Sequence, residues 1–200
     1  MTGVQTCALP ICAESLTLNV ENGSVTILGA VGDTQRLGGF SIPLASGLGV
    51  SIGGSILTDS EAVAGGIVQI APNLILSANT LIDTQGSGKG GTLSLGAVTM
   101  TGSYSLNCEA GIGSISIASL SSPLTNALLT GQNVTVTGVS SIGSLLINNT
   151  GILTLGTGAF TLTRTFDQVG TGNCFLNSNL SASEVTFTTD LTISQTPITV

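Results

Sequence analysis

The sequence predicts an all-β protein, a right-handed parallel β-helix (β-solenoid) with coils of about 19–22 residues. Three observations favour this fold. Short apolar–polar alternations fill the chain, a strand unit recurs at nearly constant spacing, and small aliphatic and hydroxylated residues greatly outnumber aromatic and charged ones. Alternation marks half-buried β-strands, and a repeat of some 20–50 residues marks a stacked architecture.

The alternating runs extend from one end of the chain to the other, separated by Gly, Asn or Ser. Their apolar side chains fall on one face of each strand, which predicts strands at these runs and almost no helix. Thr58-Asp-Ser-Glu61 fits a helix capping box, but Gly65-Gly66 follows within about one turn, so we predict a loop there. The clearest runs are residues 16–20, 25–27, 74–76, 93–95, 98–100, 115–117, 134–136, 160–162, 185–187, 191–193 and 198–200.

A repeated unit decides between a solenoid and a sandwich. Its apolar anchors are Leu93, Ile115, Val134 and Leu153, which are spaced by 22, 19 and 19 residues. Three short strands with their turns fit into about 20 residues, the length of one coil in a repeat of this kind. A β-sandwich is the alternative, and it would show irregular spacing and two-residue hairpin turns such as Asn22-Gly23.

Composition and charge exclude several classes of protein. A mean hydropathy of +0.57 with 6% charged residues is unlike a disordered chain, which has low hydrophobicity and high charge. The most apolar stretch, residues 42–56, is broken by serines and glycines, so no transmembrane segment is predicted. The net charge is −7, and three scattered cations, Arg36, Lys89 and Arg164, form no basic patch for nucleic acid.

The chain contains no histidine. Catalysis by Ser-His-Asp or Cys-His groups is therefore excluded, as are zinc sites built on imidazole. The segment around Lys89 is not a phosphate-binding loop, because Asp83 stands at the first required glycine and Gly90 follows the lysine. We predict no catalytic residue and no cofactor.

Asp59 and Glu61 are the carboxylates that lie close together in sequence. They are weak candidates for binding a hard cation, which takes oxygen ligands. A solvated loop is the preferred interpretation, so no metal site is predicted.

Two cysteines lie in the repetitive part of the chain. Cys108 and Cys174 are 66 residues apart, which is about three coils and roughly 14 Å along a solenoid axis. A disulfide requires a Cα separation of roughly 4.4–6.8 Å. We therefore predict two free thiols.

The first residues are unlike the rest of the chain. MTGVQTCALPI, Met1 to Ile11, resembles the translation of a common short-read sequencing adapter, and this stretch lacks charge and strand alternation. Such segments are set aside before the fold is considered. We expect residues 1–12 to be a disordered, adapter-derived artefact and residues 13–200 to be a solenoid fragment truncated at both ends.

Two parts of the sequence resemble a known family. Residues 21–42, ENGSVTILGAVGDTQRLGGFSI, are similar to a pattern that recurs in giant bacterial β-strand-repeat surface proteins. Residues 64–71 and 86–93 resemble the Gly-rich coils of filamentous haemagglutinin-like exoproteins, which are adhesins. The resemblance implies secretion or display at the bacterial cell surface, and adhesion to an unidentified glycan or protein receptor. It also implies stacking on further repeats of a longer chain.

Three function classes follow from these observations. A structural and adhesive stalk without catalysis is preferred, because uniform repeats lacking a catalytic cluster suit a stalk. The second is a carbohydrate-active β-helix, a lyase or hydrolase. It would need a cleft holding two or three of Asp59, Glu61, Asp83 and Glu109, since hydrolysis uses two carboxyls roughly 5–9.5 Å apart. The third is a flat ice-binding-type surface, for which residues 161–165, TLTRT, form the only extended Thr-x-Thr run.

Overall fold

A computed structural model describes residues 14–21, 23–43, 49–59, 66–86, 89–121, 123–138 and 140–194. These residues form β-strands and no helix, so none of them belongs to a helix that could span a membrane. The strands are β1 (Ser15–Thr17), β2 (Ser24–Ile27), β3 (Gly39–Ile42), β4 (Gly49–Ile52), β5 (Ile56–Leu57), β6 (Ile67–Ile70), β7 (Asn73–Leu76), β8 (Thr80–Asp83), β9 (Leu93–Met100), β10 (Ser105–Glu109), β11 (Ile115–Leu120), β12 (Asn126–Gly131), β13 (Val134–Val136), β14 (Ser140–Ile142), β15 (Ser144–Asn149), β16 (Leu153–Leu155), β17 (Phe160–Leu162), β18 (Thr165–Gln168), β19 (Cys174–Leu176), β20 (Leu180–Ser181), β21 (Glu184–Phe187) and β22 (Leu191–Ile193).

The strands stack into three faces that wind a parallel β-solenoid of about eight turns. Every strand pair among the described residues is parallel. This excludes the β-sandwich alternative, whose hairpins are antiparallel. Face 1 comprises β1, β3, β6, the first parts of β9 and β11, β13, β16, β19 and β22. Face 2 comprises β2, β4, β7 and the second parts of β9 and β11, followed by a separate three-stranded sheet of β14, β17 and β20 in which β14 contacts β11. Face 3 comprises β5, β8, β10, β12, β15, β18 and β21.

The register confirms the repeat that the sequence predicts. Coil length also varies beyond the predicted 19–22 residues: Gly39 pairs with Ile67, 28 positions on, and Cys174 pairs with Leu191, 17 positions on. The longest coils lie in the first half of the chain, where the connections between faces are longer. The four predicted anchors are register partners in consecutive coils of face 1: Leu93, Ile115, Val134 and Leu153.

The core consists of aliphatic ladders that run along the solenoid axis. Each rung lies about 4.8 Å from the next, and burying one such side chain contributes about 1.5–3 kcal/mol. Small branched side chains fill the interior, so few rings are needed; Phe40, Phe160 and Phe166 are fully buried. One ladder of face 3, with every member fully buried, comprises Ile56, Ile82, Cys108, Leu129 and Ile147.

Side-chain hydroxyls join consecutive coils where face 2 ends. The backbone N–H and the hydroxyl of Ser77 both donate to the carbonyl of Ile52, at 2.9 and 3.3 Å. Ser121 repeats the arrangement on the carbonyl of Val98, at 3.0 and 3.1 Å. These bonds supply partners to backbone groups at a corner, which explains why Ser and Thr separate the apolar runs.

A buried amide network ties the last coils together. Gln168 points inward on face 3, and its Nε2 donates to Asn149 Oδ1 at 2.8 Å and to the carbonyl of Gly170 at 3.0 Å. Its Oε1 accepts the backbone N–H of Thr188 at 3.1 Å. A buried amide without such partners would destabilise the fold, and here both ends of the Gln168 amide are bonded.

Most of the predicted strands are confirmed. The runs from 25–27 to 191–193 all lie within strands. The run 16–20 is a strand only as far as Thr17. The run 198–200 and residues 1–12, with their predicted artefact, lie outside the described residues.

Alternation is broken in two strands of face 3, although it is kept in β10 and β21. Strands β12 and β15 contain the adjacent leucine pairs Leu128-Leu129 and Leu145-Leu146, in which one leucine is buried and the other is half-buried on the outer side. An apolar outward position breaks the period of two that identifies a strand. The same leucines shape the candidate site described below.

Gly172→Ala is expected to lower the free energy of unfolding by about 1–3 kcal/mol, the usual cost of overpacking. Gly172 lies at the corner between faces 3 and 1, where an added Cβ would collide with the carbonyl oxygen of Gly151 in the preceding coil. Gly29→Ala is the control, because a Cβ there meets no atom within 4 Å. Urea unfolding followed by circular dichroism measures both variants. Equal midpoints for the two would contradict the close approach of the coils.

Candidate functional site

The outer side of face 3 carries an open groove of about 600 Å³. It follows the solenoid axis across β5, β8, β10, β12, β15 and β18. Five steps of about 4.8 Å between strands make it roughly 24 Å long. Its lining residues are Ser55, Asn79, Thr80, Leu81, Ser105, Leu106, Asn107, Asn126, Ala127, Leu128, Ser144, Leu146, Thr165 and Asp167.

Two rows of outward side chains form the floor of the groove. In the second row, Ser105 pairs with Asn126, and Asn126 pairs with Ser144. The central row consists of half-buried register partners on successive strands: Leu81, Asn107, Leu128, Leu146 and Asp167.

The polar groups of the groove are partly fixed by neighbouring side chains. The backbone N–H and the hydroxyl of Ser105 both donate to Asn79 Oδ1, at 2.9 and 3.1 Å. Asn107 Nδ2 donates to Glu109 Oε1 at 2.8 Å. The other end of that amide, Asn107 Oδ1, accepts no hydrogen bond. The central row therefore contains an amide that is only half satisfied.

The groove is neutral to weakly acidic. Among its described lining residues, Asp167 is the one that carries a charge. Glu109 lies beside Asn107, and Glu184 is the register partner of Thr165, so both add negative charge at the margins. The groove therefore offers amides, hydroxyls and apolar surface, and it repels anions.

Two of the carboxylates predicted for a carbohydrate-active site lie together. Asp83 and Glu109 are register partners on adjacent strands of face 3. The Oδ2 of Asp83 accepts from Arg36 Nη2 at 2.5 Å, and its Oδ1 accepts from the backbone N–H of Gln85 at 2.7 Å. Both carboxylate oxygens of Asp83 therefore already have partners. Neither Asp83 nor Glu109 lines the groove.

Asp59 lies at the same corner, after Thr58, whose backbone N–H donates to the carbonyl of Asp83. Glu61, with the loop predicted around it, lies outside the described residues. The weak candidates Asp59 and Glu61, and the predicted absence of a metal site, therefore stay predictions. The described parts of the chain hold no group of three or more His, Cys, Asp and Glu side chains that could bind a metal ion.

The outer row of face 1 is not a regular threonine face. The TLTRT run turns a corner instead of lying flat, since Thr161 belongs to face 2 and Thr165 to face 3. Hydroxyls dominate the face 1 row, but Gln69 and Phe175 interrupt it. The row comprises Thr17, Ser41, Gln69, Ser94, Ser116, Thr135, Thr154, Phe175 and Thr192.

The two cysteines among the described residues, Cys108 and Cys174, are free and fully buried. Cys108 lies on face 3 and Cys174 on face 1. Three register steps lead from Cys108 through Leu129 and Ile147 to Gln168, and Cys174 begins the next strand, which agrees with the predicted separation of about three coils. Burial raises the pKa of the Cys108 thiol well above its usual range, and the neighbouring Glu109 carboxylate raises it further. Burial raises the pKa of Cys174 to about 12. Both thiols are therefore protonated and unreactive at neutral pH.

No protein-family model matches the chain, and neither a curated protein nor a solved structure is detectably similar to it. The resemblance to filamentous haemagglutinin-like exoproteins therefore stays a prediction. Because one fold can carry many functions, the function must be argued from the groove and the surfaces around it.

Sequence reasoning did not find the groove residues. Asn126 lies in β12, where the leucine pair breaks the alternation, and Asn107 lies in β10, where alternation shows only an ordinary polar outward residue. The usable signal is the leucine pairs at Leu128 and Leu146, since an apolar residue at an outward position indicates a surface that contacts something other than water.

The Cys174 thiol is expected to make folding depend on pH above about pH 9. Its folded pKa of about 12 exceeds the ordinary value of 9.0, so the stability from the buried neutral thiol is fully present below pH 9. That stability is lost as the pH rises from 9 towards 12, by at most about 1.4 kcal/mol per pH unit. Cys174→Val should reduce this loss in urea unfolding between pH 9 and 11.

The chain also contains Cys7 and Cys12, which lie outside the described residues. The parent for this comparison therefore carries Cys7→Ser and Cys12→Ser, so that its two remaining thiols are Cys108 and Cys174. In this parent, the thiol reagent DTNB should react at pH 8 only after unfolding. Equal pH slopes in the parent and the Cys174→Val variant would count against a buried, protonated Cys174.

Proposed function

We propose that the chain is a structural and adhesive repeat segment of a large bacterial protein that is secreted or displayed at the cell surface, and that it is not an enzyme. The observation that carries this proposal is the uniform stacking of about eight turns around one continuous apolar core. In a solenoid each coil contacts only its neighbours. Length can therefore be added without new kinds of contact, which is what an extended stalk needs.

The arrangement of carboxylates supports a role without catalysis. Glycoside hydrolysis uses two carboxyls facing the scissile bond, whereas the described lining of the groove carries one carboxylate, Asp167. Asp83 is held by Arg36 and by the backbone N–H of Gln85. The location outside the cell rests on the resemblance of residues 21–42 to bacterial surface proteins.

A carbohydrate-active β-helix is the second candidate. It is favoured by the position of Asp59, Asp83 and Glu109 at one corner of the solenoid. It ranks below the stalk because Asp83 and Glu109 are neighbours on adjacent strands of one face, so they do not oppose each other across a cleft. An ice-binding surface is not favoured, because Gln69 and Phe175 interrupt the outer row of face 1.

Under force applied at its two ends, a stalk of this kind should unfold coil by coil. Successive register partners on face 1 are 17 to 28 residues apart, so each step should release about 60–100 Å of extended chain. Single-molecule pulling with optical tweezers measures these steps. A single cooperative event that releases the whole solenoid would contradict the view that each coil is held only by contacts with its neighbouring coils.

The natural reading frame tests the adhesin part of the proposal. Long-read sequencing through the locus should recover further coils of the same kind and an export signal in one frame, with codons unrelated to MTGVQTCALPI ahead of Ala13. A short frame joined to a catalytic domain would overturn the proposal.

A further inference from the structure

We infer that the groove of face 3 binds an extended, neutral polysaccharide strand. This inference rests on the proposed function, because it assigns the adhesive contact of the segment to one site. The groove is open and about 24 Å long, whereas sites for small molecules are usually closed concave pockets. Its shape therefore favours a linear polymer.

The polar groups of the groove repeat at the strand spacing. Amides and hydroxyls of Asn79, Ser105, Asn126 and Ser144 follow one another along the axis, one for each coil. Side-chain amides both donate and accept hydrogen bonds, and hydroxyls do the same. A polymer with hydroxyls on every unit is the ligand that can use such a row throughout its length.

Apolar surface is interleaved with these polar groups. Leu81, Leu128 and Leu146 are half-buried at outward positions of the central row, whereas the corresponding row of face 1 has Ser94 and Ser116 in neighbouring coils. Apolar surface rimmed by polar groups marks binding grooves. The C–H faces of sugar rings can pack on the leucines while the sugar hydroxyls bond to the amides beside them.

Charge decides against an anionic polymer. The described lining has Asp167 and no cation, and Glu109 and Glu184 lie at the margins. Arg164 precedes Thr165 at the rim, a single exposed cation against these three carboxylates. Acidic glycans and nucleic acids need several cations to offset their charge, so a neutral chain is favoured.

A peptide strand is a poorer fit. Peptides that join a sheet pair with the free backbone groups of an edge strand. The strands that form the groove floor, β8, β10, β12 and β15, each pair with a strand on both sides, so their backbone groups are already used. The floor offers side-chain groups alone.

Asn107 gives the clearest indication of a ligand. Its Oδ1 is shielded from water and accepts no hydrogen bond, an arrangement that destabilises a fold. A leucine at this position would continue the row between Leu81 and Leu128 and remove the unpaired acceptor. Because Oδ1 is shielded, a ligand would contact this amide through the Nδ2 hydrogen that Glu109 does not accept. Such a contact explains an asparagine at a position where leucine would serve the fold better.

Isothermal titration calorimetry tests the inference with neutral hexasaccharides of β-1,4-glucan, β-1,4-xylan, β-1,4-mannan and α-1,4-glucan. A hexagalacturonate and a heparin hexasaccharide serve as anionic probes. We expect at least one neutral hexasaccharide to bind, and the anionic probes to bind more weakly or not at all. No binding of any neutral probe, or preferential binding of an anionic one, would overturn the inference.

The decisive variant is Asn107→Leu, with Ser116→Leu on face 1 as its matched control. Asn107→Leu should weaken binding by about tenfold, the effect of losing one hydrogen bond, while its unfolding midpoint stays the same or rises. Ser116→Leu should leave the affinity unchanged. Equal affinities in the unsubstituted chain and in Asn107→Leu would place the ligand elsewhere and contradict the inference.

Mass spectrometry of the bound hexasaccharide after prolonged incubation separates this inference from the proposed function. An intact ligand agrees with both. Shorter products that disappear in a Glu109→Gln variant would overturn the absence of catalysis, while the groove would stand as the binding site. If no neutral hexasaccharide binds but the protein still unfolds coil by coil under force, the inference about the groove is overturned and the proposed stalk is not.

Discussion

Parallel stacking of one coil on the next is the interaction on which the whole structure depends. Each strand donates and accepts backbone hydrogen bonds with the equivalent strand of the neighbouring coils, and the inward side chains fall into ladders about 4.8 Å apart. Ile56, Ile82 and Cys108 form one such ladder without a gap. No coil buries its own apolar face alone, so the core forms collectively.

The same constraint explains which residues the interior tolerates. A large buried amide is accommodated in the stack where neighbouring coils supply its partners, as Asn149 and Thr188 do for Gln168. A thiol such as Cys108 is accepted as a small apolar rung. At the corner near Gly172 the backbones of successive coils approach so closely that no side chain fits.

Outward positions are free of this constraint, so they can carry function. Faces 1 and 3 share the same backbone arrangement but differ in what they present to solvent. Face 1 shows mostly hydroxyls, such as those of Ser94 and Ser116, whereas face 3 combines leucines with the amides of Asn107 and Asn126. In the proposed function, the stacked coils provide length and the specialised face 3 provides the adhesive contact.

The sequence by itself determined the fold class, the anchors Leu93 to Leu153 and most strands of faces 1 and 2, because alternation and a constant repeat are local signals. In face 3 it predicted β21 but not β12 and β15, since Leu128 and Leu146 face outward and break the alternation. The groove was decided by the tertiary structure alone. Leu81, Asn107 and Asp167 are far apart in sequence, and only the register of the stacked coils places them in one row.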